Sequence, residues 1–382
     1  MAAALGAIFL SLDQGALAQE GADQPKFEAQ KIGDISIGYG LAIGDVDGDG
    51  KSDVLLADKK EIVWYHNPSW KRHVIASRLS LKDNVCLAAR DIDGDGKVEV
   101  AAGANWNPGE TSDREQSGSV HYLVRQDDPA KEWKAVKLPH DPTVHRMHWI
   151  RNGDGKFALV MLPLHGIGNR GGQGENGVRV TAYHPPADLG DASDASKWKT
   201  EVLNDRMHIT HNFDIVPGAD GAADTMVIGG REGIVTLTWV DGKWKEAFEA
   251  GGEGYGEVRR AGKWTAGIRP LHGNKVTLVE AGGIPATLDE SLAAGHALAI
   301  ADVLGVGTPQ IIAGWRDPDG SGKVGIRLYT RKDDAPWQKH SIDDNEMACE
   351  DLKVADLNGD GKLDIVAAGR RTKNLVIYWN RR

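Results

Sequence analysis

The chain has 382 residues and a formal net charge of −10, which has the look of a repellent for nucleic acid, and no nucleic-acid partner is expected. Its 48 glycines and the lack of long helical periodicities favour an all-β chain, of a kind that takes this length as a single repeat-built unit. Eleven of the 55 acidic residues sit in three short loops, so the acidity marks bound cations and not a partner.

From Ala2 to Leu12 the chain is nearly all apolar; small residues follow at Ala16-Leu17-Ala18, then polar Gln19 to Asp23. This reads as a secretory signal peptide over residues 1–18, although it lacks the usual basic start, and predicts a secreted or periplasmic protein. The stretch is too short to span a bilayer and no later one is long enough, so no membrane insertion is expected. Residues 25–382 are expected to form one domain.

The first motif is Asp45-Val46-Asp47-Gly48-Asp49-Gly50-Lys51-Ser52-Asp53, which recurs as Asp91 to Glu99 and as Asp356 to Asp364. Oxygen ligands at the first, third, fifth and ninth positions suit one hard cation: Asp45, Asp47, Asp49 and Asp53; Asp91, Asp93, Asp95 and Glu99; Asp356, Asn358, Asp360 and Asp364. An EF-hand would need flanking helices and a Glu at position twelve, whereas here an apolar strand follows each loop, as in Val54-Leu55-Leu56-Ala57. These loops resemble the FG-GAP/VCBS repeats of integrin-type β-propellers, which implies about three structural Ca2+ ions.

Aromatic residues open short amphipathic strands at Trp70, Trp133, Trp198, Trp244 and Trp337, each expected to be the outermost strand of a blade. Between them lie expected innermost strands at Tyr39–Ile43, Asn84–Ala88, His145–Trp149, His211–Ile215, Tyr255–Arg259, His296–Ile300 and Glu350–Val354. The fold predicted is therefore a seven-bladed β-propeller. Its last blade runs out of chain after Leu375 to Trp379, so Phe27 to Ile32 is expected to supply the missing strand and close the ring. Blades three, four and six keep only remnants of the loop, at Asn152 to Gly155, Ala219 to Gly221 and Asp302 to Gly307. Cys86 and Cys349 are read as buried thiols.

Superposed, the blades place His145, His211 and His296 at the start of innermost strands, at one mouth of the channel and roughly 20 Å from the metal loops at ~3.3 Å per residue. The ends of the second strands return to the same face with Trp106, His165, Arg231, His272, Trp315 and Arg316. Imidazoles are the usual ligands and proton-transfer groups near neutral pH.

His208-Ile209-Thr210-His211-Asn212-Phe213, Gly229 to Gly233, Leu271-His272-Gly273-Asn274, Gly295-His296-Ala297-Leu298 and Ala313-Gly314-Trp315-Arg316 together resemble the propeller domain of the aldos-2-ulose dehydratase family. The resemblance implies elimination of water from a keto-sugar at a propeller site holding a divalent metal. No cupin domain follows in this sequence, so the isomerase step tied to those domains is not expected. On this reading His145, His211 and His296 hold a zinc-like catalytic metal, and His165 and His272 serve as base and acid. Arg231 and Arg316 stabilise the oxyanion or bind sugar hydroxyls, while Trp106, Trp315 and Tyr39 contact the sugar. The competing expectation is a non-catalytic secreted propeller, stabilised by calcium, that binds carbohydrate or protein.

Overall fold

The computed structural model describes residues 24–171, 173–332 and 335–382; the expected signal peptide lies outside them. Seven four-stranded antiparallel sheets form the blades of a β-propeller, and no α-helix occurs among the described residues. The innermost strands are Gly40–Gly44, Cys86–Arg90, Val144–Arg151, Thr210–Val216, Glu257–Ala261, Gly295–Ala301 and Cys349–Ala355. Each packs on the innermost strand of the next blade, and the seventh packs on the first.

Period-two alternation explains why the second strands are buried on both faces. In Asp53–Ala57 the residues Leu55 and Ala57 pack with Val100 and Ala102 of blade two. Val54 and Leu56 face the other way, against Val366 and Ala368 of blade seven. Apolar side chains thus fill every interblade space, and the tryptophans that precede the outer strands close those spaces from the rim: the indole N–H of Trp133 donates to Pro129 O (3.1 Å) and that of Trp198 to Ala192 O (3.0 Å). The strand Phe27–Asp34 pairs antiparallel with Asn374–Asn380, from Phe27 opposite Asn380 to Asp34 opposite Asn374, and is the outermost strand of blade seven.

The acidic loops join first to second strands, at the opposite end of the blades from the starts of the innermost strands. In each, the first Asp accepts the backbone N–H groups of both glycines: Asp45 from Gly48 and Gly50 (2.7 and 2.8 Å), Asp91 from Gly94 and Gly96 (2.7 and 3.1 Å), Asp356 from Gly359 and Gly361 (both 2.8 Å) and also from Asp360 (3.2 Å). The turn requires positive φ at both glycines, 83° and 84° at Gly48 and Gly50, where a side chain would be strained.

A latch joins neighbouring loops. Asn67 donates its amide to Ser52 O (2.9 Å) in its own blade and to Leu357 O (2.7 Å) in blade seven. Asn380 reaches from blade seven to Val303 O (2.7 Å) in blade six, and Arg125 from blade two to Val46 O (2.7 Å) in blade one. Each acceptor is the second residue of the preceding blade's loop.

Candidate functional site

Four of the seven innermost strands begin with a register shift. Val144 pairs with Pro163 but Arg146 with Leu162, which leaves His145 as an extra residue; the same shift isolates His211, His296 and Glu350. Such bulges re-aim a side chain out of the regular alternation, and here the re-aimed side chains belong to the mouth of the channel.

The imidazoles at these positions are lashed to the next blade. His145 Nδ1 lies 2.7 Å from His211 O, His211 Nδ1 2.8 Å from Gly256 O, and His296 Nδ1 2.6 Å from Glu350 O. A carbonyl oxygen can only accept, so each Nδ1 carries the hydrogen and each Nε2 presents a lone pair. Blade five has glycine at the corresponding position, Gly256, and the slot is filled by His272 from the loop between its second and third strands. The His272 ring sits 4.3 Å from that of His211 and 4.9 Å from that of His296, with the Nε2 atoms of His272 and His211 2.5 Å apart.

The ligand atoms of His211, His272 and His296 all lie within 4.8 Å of one another. The sequence grouped His145 with His211 and His296; the geometry gathers His272 in its place, because Gly256 leaves room for a ring from another loop. His145 stands beside the trio, its ring 4.7 Å from His211 and stacked on Trp106 at 5.0 Å. Desolvation, followed by the charge of Arg146, holds the His145 pKa well below the usual imidazole value. Desolvation followed by Arg316 does the same at His296, and desolvation with His211 and then Arg316 takes His272 down to about 2. Neutral imidazoles with converging lone pairs crowd one another unless a cation is shared, so the donor set fits the divalent metal of zinc type that the resemblance implies.

On the far side of His296, Glu350 is buried and fixed by two arginines: Arg316 Nη1 donates to Oε2 and Arg370 Nη1 to Oε1, both at 3.1 Å. The Arg370 guanidinium lies 5.0 Å over the ring of Tyr39, whose hydroxyl pKa is raised, chiefly by burial. Behind His211, Glu257 accepts both hydrogen bonds from Asn212 (2.9 and 2.8 Å) and one from Arg259 (3.0 Å); despite burial, Arg259 and His211 bring its pKa down to about 2.

Sequence reasoning missed Glu350, Arg370 and Glu257. The signal for Glu350 was present, since it precedes Asp356 by six residues as His296 precedes Asp302 and Tyr39 precedes Asp45.

The other expected site residues scatter. Trp315 is 3% exposed, packs between blades five and six, is covered by Arg327 at 4.3 Å and donates its N–H to Lys323 O, so it offers no face to a sugar. Arg231 bonds Glu232 (3.1 Å), which also accepts from His208 Nδ1 (2.9 Å). His165 is half-buried, its Nδ1 enclosed without a hydrogen-bond partner and its pKa lowered by desolvation.

On the opposite face the structure brings together Asp45, Asp47 and Asp53, and likewise Asp91, Asp93 and Glu99, each set within 4.8 Å. The fifth-position Asp49 and Asp95 instead pair with Lys51 (3.3 Å) and Lys97 (3.2 Å), and Asp49 joins Asp47 and His66 in a further group. Burial pushes Asp53 up to about 6 and Glu99 to about 7, and raises Asp364. Crowded, partly buried carboxylate oxygens are the donor set a hard cation offsets, so these residues fit calcium.

Residues 117–280 match the family described as "Aldos-2-ulose dehydratase, beta-propeller domain", a span holding His145, His211 and His272. Residues 45–102 match an FG-GAP-like repeat. No curated protein matches the chain. Among solved structures, BBS1N in complex with ARL6DN aligns with a TM-score of 0.58 at 13% identity, over 94% of this chain and 98% of that one. A chain of the Mitotic Checkpoint Complex gives 0.56 at 12%, over 99% and 97%. The Cps50 (Swd1) β-propeller domain of Myceliophteria thermophila gives 0.54 at 10%, over 93% and 100%. At these identities the likeness shows the fold alone. The chain is thus a propeller with an FG-GAP-like repeat that resembles the aldos-2-ulose dehydratase propeller.

Proposed function

We propose that this protein is a carbon–oxygen lyase that eliminates a β-oxygen substituent, hydroxyl or glycosidic, from a keto-sugar or keto-glycoside at the channel mouth. The observation that carries this reading is the convergence of His211, His272 and His296, whose ring nitrogens gather within 4.8 Å. The match of residues 117–280 to a dehydratase propeller supports the same chemistry. A divalent metal held by these imidazoles supplies Lewis acidity toward the sugar carbonyl. Backbone carbonyls of the next blade fix the tautomer of His211 and His296 and so aim Nε2 at the metal. Arg316 stands beside the imidazoles to stabilise developing negative charge, and Trp106, backed by His145, offers a ring face to the sugar. The acidic loops hold structural calcium on the opposite face, and the chain acts after export.

The test is incubation of the purified protein with a panel of keto-sugars and 3-keto-glycosides. An enone absorbing in the near ultraviolet is expected, lost with a strong zinc chelator and restored by divalent metal. His211→Ala and His296→Ala are expected to lose both the metal and the turnover. Retention of a glycan with no turnover of any keto-sugar, and no transition metal at the mouth, would establish a binding module instead.

A further inference from the structure

We propose that Glu350 is the proton-transferring group of this site, an assignment that rests on the lyase reading. Its placement is the first argument. Glu350 occupies the position of blade seven that His145, His211 and His296 occupy in theirs, and the register shift between Cys349 and Asp351 turns its side chain toward the mouth in the same way.

Distance is the second argument. Glu350 Oε1 lies 3.9 Å from His296 Nε2, the nitrogen facing the trio. The other nearby carboxylate, Glu257, approaches His211 on the Nδ1 side at 3.4 Å, away from the point of convergence. Glu350 is therefore the carboxylate adjacent to the reacting carbon of a sugar whose carbonyl faces the imidazoles.

The histidines are the third argument. His272 is gathered with His211 and His296 in the donor set, and His145, tied through Nδ1, holds its ring in the stack on Trp106. His165 pairs through its backbone with Ile209 and with Thr143 Oγ1 (3.1 Å), and its Nδ1 is enclosed without a hydrogen-bond partner.

Arg316 and Arg370 each grip one oxygen, which fixes the carboxylate plane, and Tyr39 under Arg370 walls the side toward blade one. The step balances within the site. Glu350 takes the proton from the carbon α to the carbonyl, and the C–H electron pair becomes the enolate double bond. The enolate then re-forms the carbonyl as the β C–O bond breaks, and the leaving oxygen takes the proton back from Glu350. No external acid, base or oxidant is consumed.

Glu350→Gln, a near-isostere, tests this in the full chain. Bound metal per chain is expected to match the wild type and the melting transition to fall, because two arginines lose their counter-charge, while turnover falls by about 10²–10⁴-fold. Exchange of the sugar's α-hydrogen with deuterated solvent, followed by NMR, is expected to stop. Glu350→Ala is expected to regain turnover with added formate, a rescue that a purely architectural glutamate would not show.

If Glu350→Gln does not fold, Glu350→Asp keeps the charge and the arginine pairing and is expected to lose at least about tenfold through a retracted carboxylate. Turnover within about threefold of wild type in Glu350→Gln or Glu350→Asp overturns the assignment, as does loss of the metal from Glu350→Gln, which would make the residue a ligand. These failures are distinct from failure of the lyase reading, in which the wild type itself turns over no keto-sugar.

Discussion

Gly256→Ala tests the fit between a missing side chain and the ring that replaces it. A Cβ at residue 256 would stand 2.0 Å from Leu271 O, 2.4 Å from its carbonyl carbon and 2.9 Å from its Cα, against backbone and not against a side chain that can swing aside. Relief requires the 269–273 loop to retreat by about 1 Å, at about 1–3 kcal/mol for an overpacked site. His272 rides on that loop, and a displacement of this size costs an active site on the order of 10²-fold. The expected result is a modest drop in denaturation midpoint with a large loss of tightly bound transition metal, read by elemental analysis after dialysis, and of turnover on a keto-sugar. Gly251→Ala is the control: its Cβ would make ordinary van der Waals contacts, with the Phe248 ring at 3.6 Å and Glu232 O at 3.7 Å, and should change neither quantity. A Gly256→Ala protein with unchanged metal affinity and turnover would refute the claim that His272 completes the site through this slot.

Removing calcium with a chelator is expected to lower the melting temperature, and Asp47→Ala or Asp93→Ala to lower it by removing one oxygen ligand from a single loop; an unmoved melting curve under chelation would show that the loops hold no metal. Deleting residues 25–33 removes the partner of Asn374–Asn380 and exposes that strand's edge, so aggregation or a large loss of stability is expected on light scattering and calorimetry, and an unchanged melt would refute a closing role for the N-terminal strand. Asn67→Ala leaves Ser52 O and Leu357 O without their amide donor in a buried corner; at about 1–2 kcal/mol per lost bond the denaturation midpoint should fall by the equivalent of about 2–4 kcal/mol, and a change under about 0.5 kcal/mol would mean the latch is redundant.

The repeat was legible because its chemistry is local: a nine-residue loop followed by an alternating strand fixes where each blade begins, and the seven innermost strands fall within two residues of where the spacing put them. The mouth was legible only in part. His296 follows from its six-residue offset to the loop, His145 and His211 fall near that place beside degenerate loops, and the same offset marks Glu350, which as a carboxylate stands apart from the imidazole pattern. His272 could not be placed by register, since its position depends on Gly256 having no side chain, a complementarity between residues sixteen apart that no periodicity carries. Trp315 was misplaced for a related reason. A tryptophan at the end of a second strand can face the mouth or the neighbouring blade, and only the apolar wall of Ile268 and Leu298 decides it.

The lashings on the two faces overlap at a single junction of the ring. At the mouth, imidazole-to-carbonyl bonds join blades three to four, four to five and six to seven. At the loop face, side-chain-to-carbonyl bonds join blades six to seven, seven to one and one to two. Blades three, four and six, which carry the mouth lashings, have degenerate acidic loops, and blades one and two, whose loops are intact, have no imidazole at the mouth. Chemistry and reinforcement are thus on different faces, and they coincide on the ring only where blades six and seven meet. A propeller permits this because each blade packs only on its neighbours, so a blade that gives up cation ligands on one face can be held by its side chains on the other. The arrangement also explains why the buried histidines of the mouth are tolerated: each spends its one N–H on a backbone carbonyl of the next blade, and the ring nitrogen that remains points where a cation or a substrate can use it.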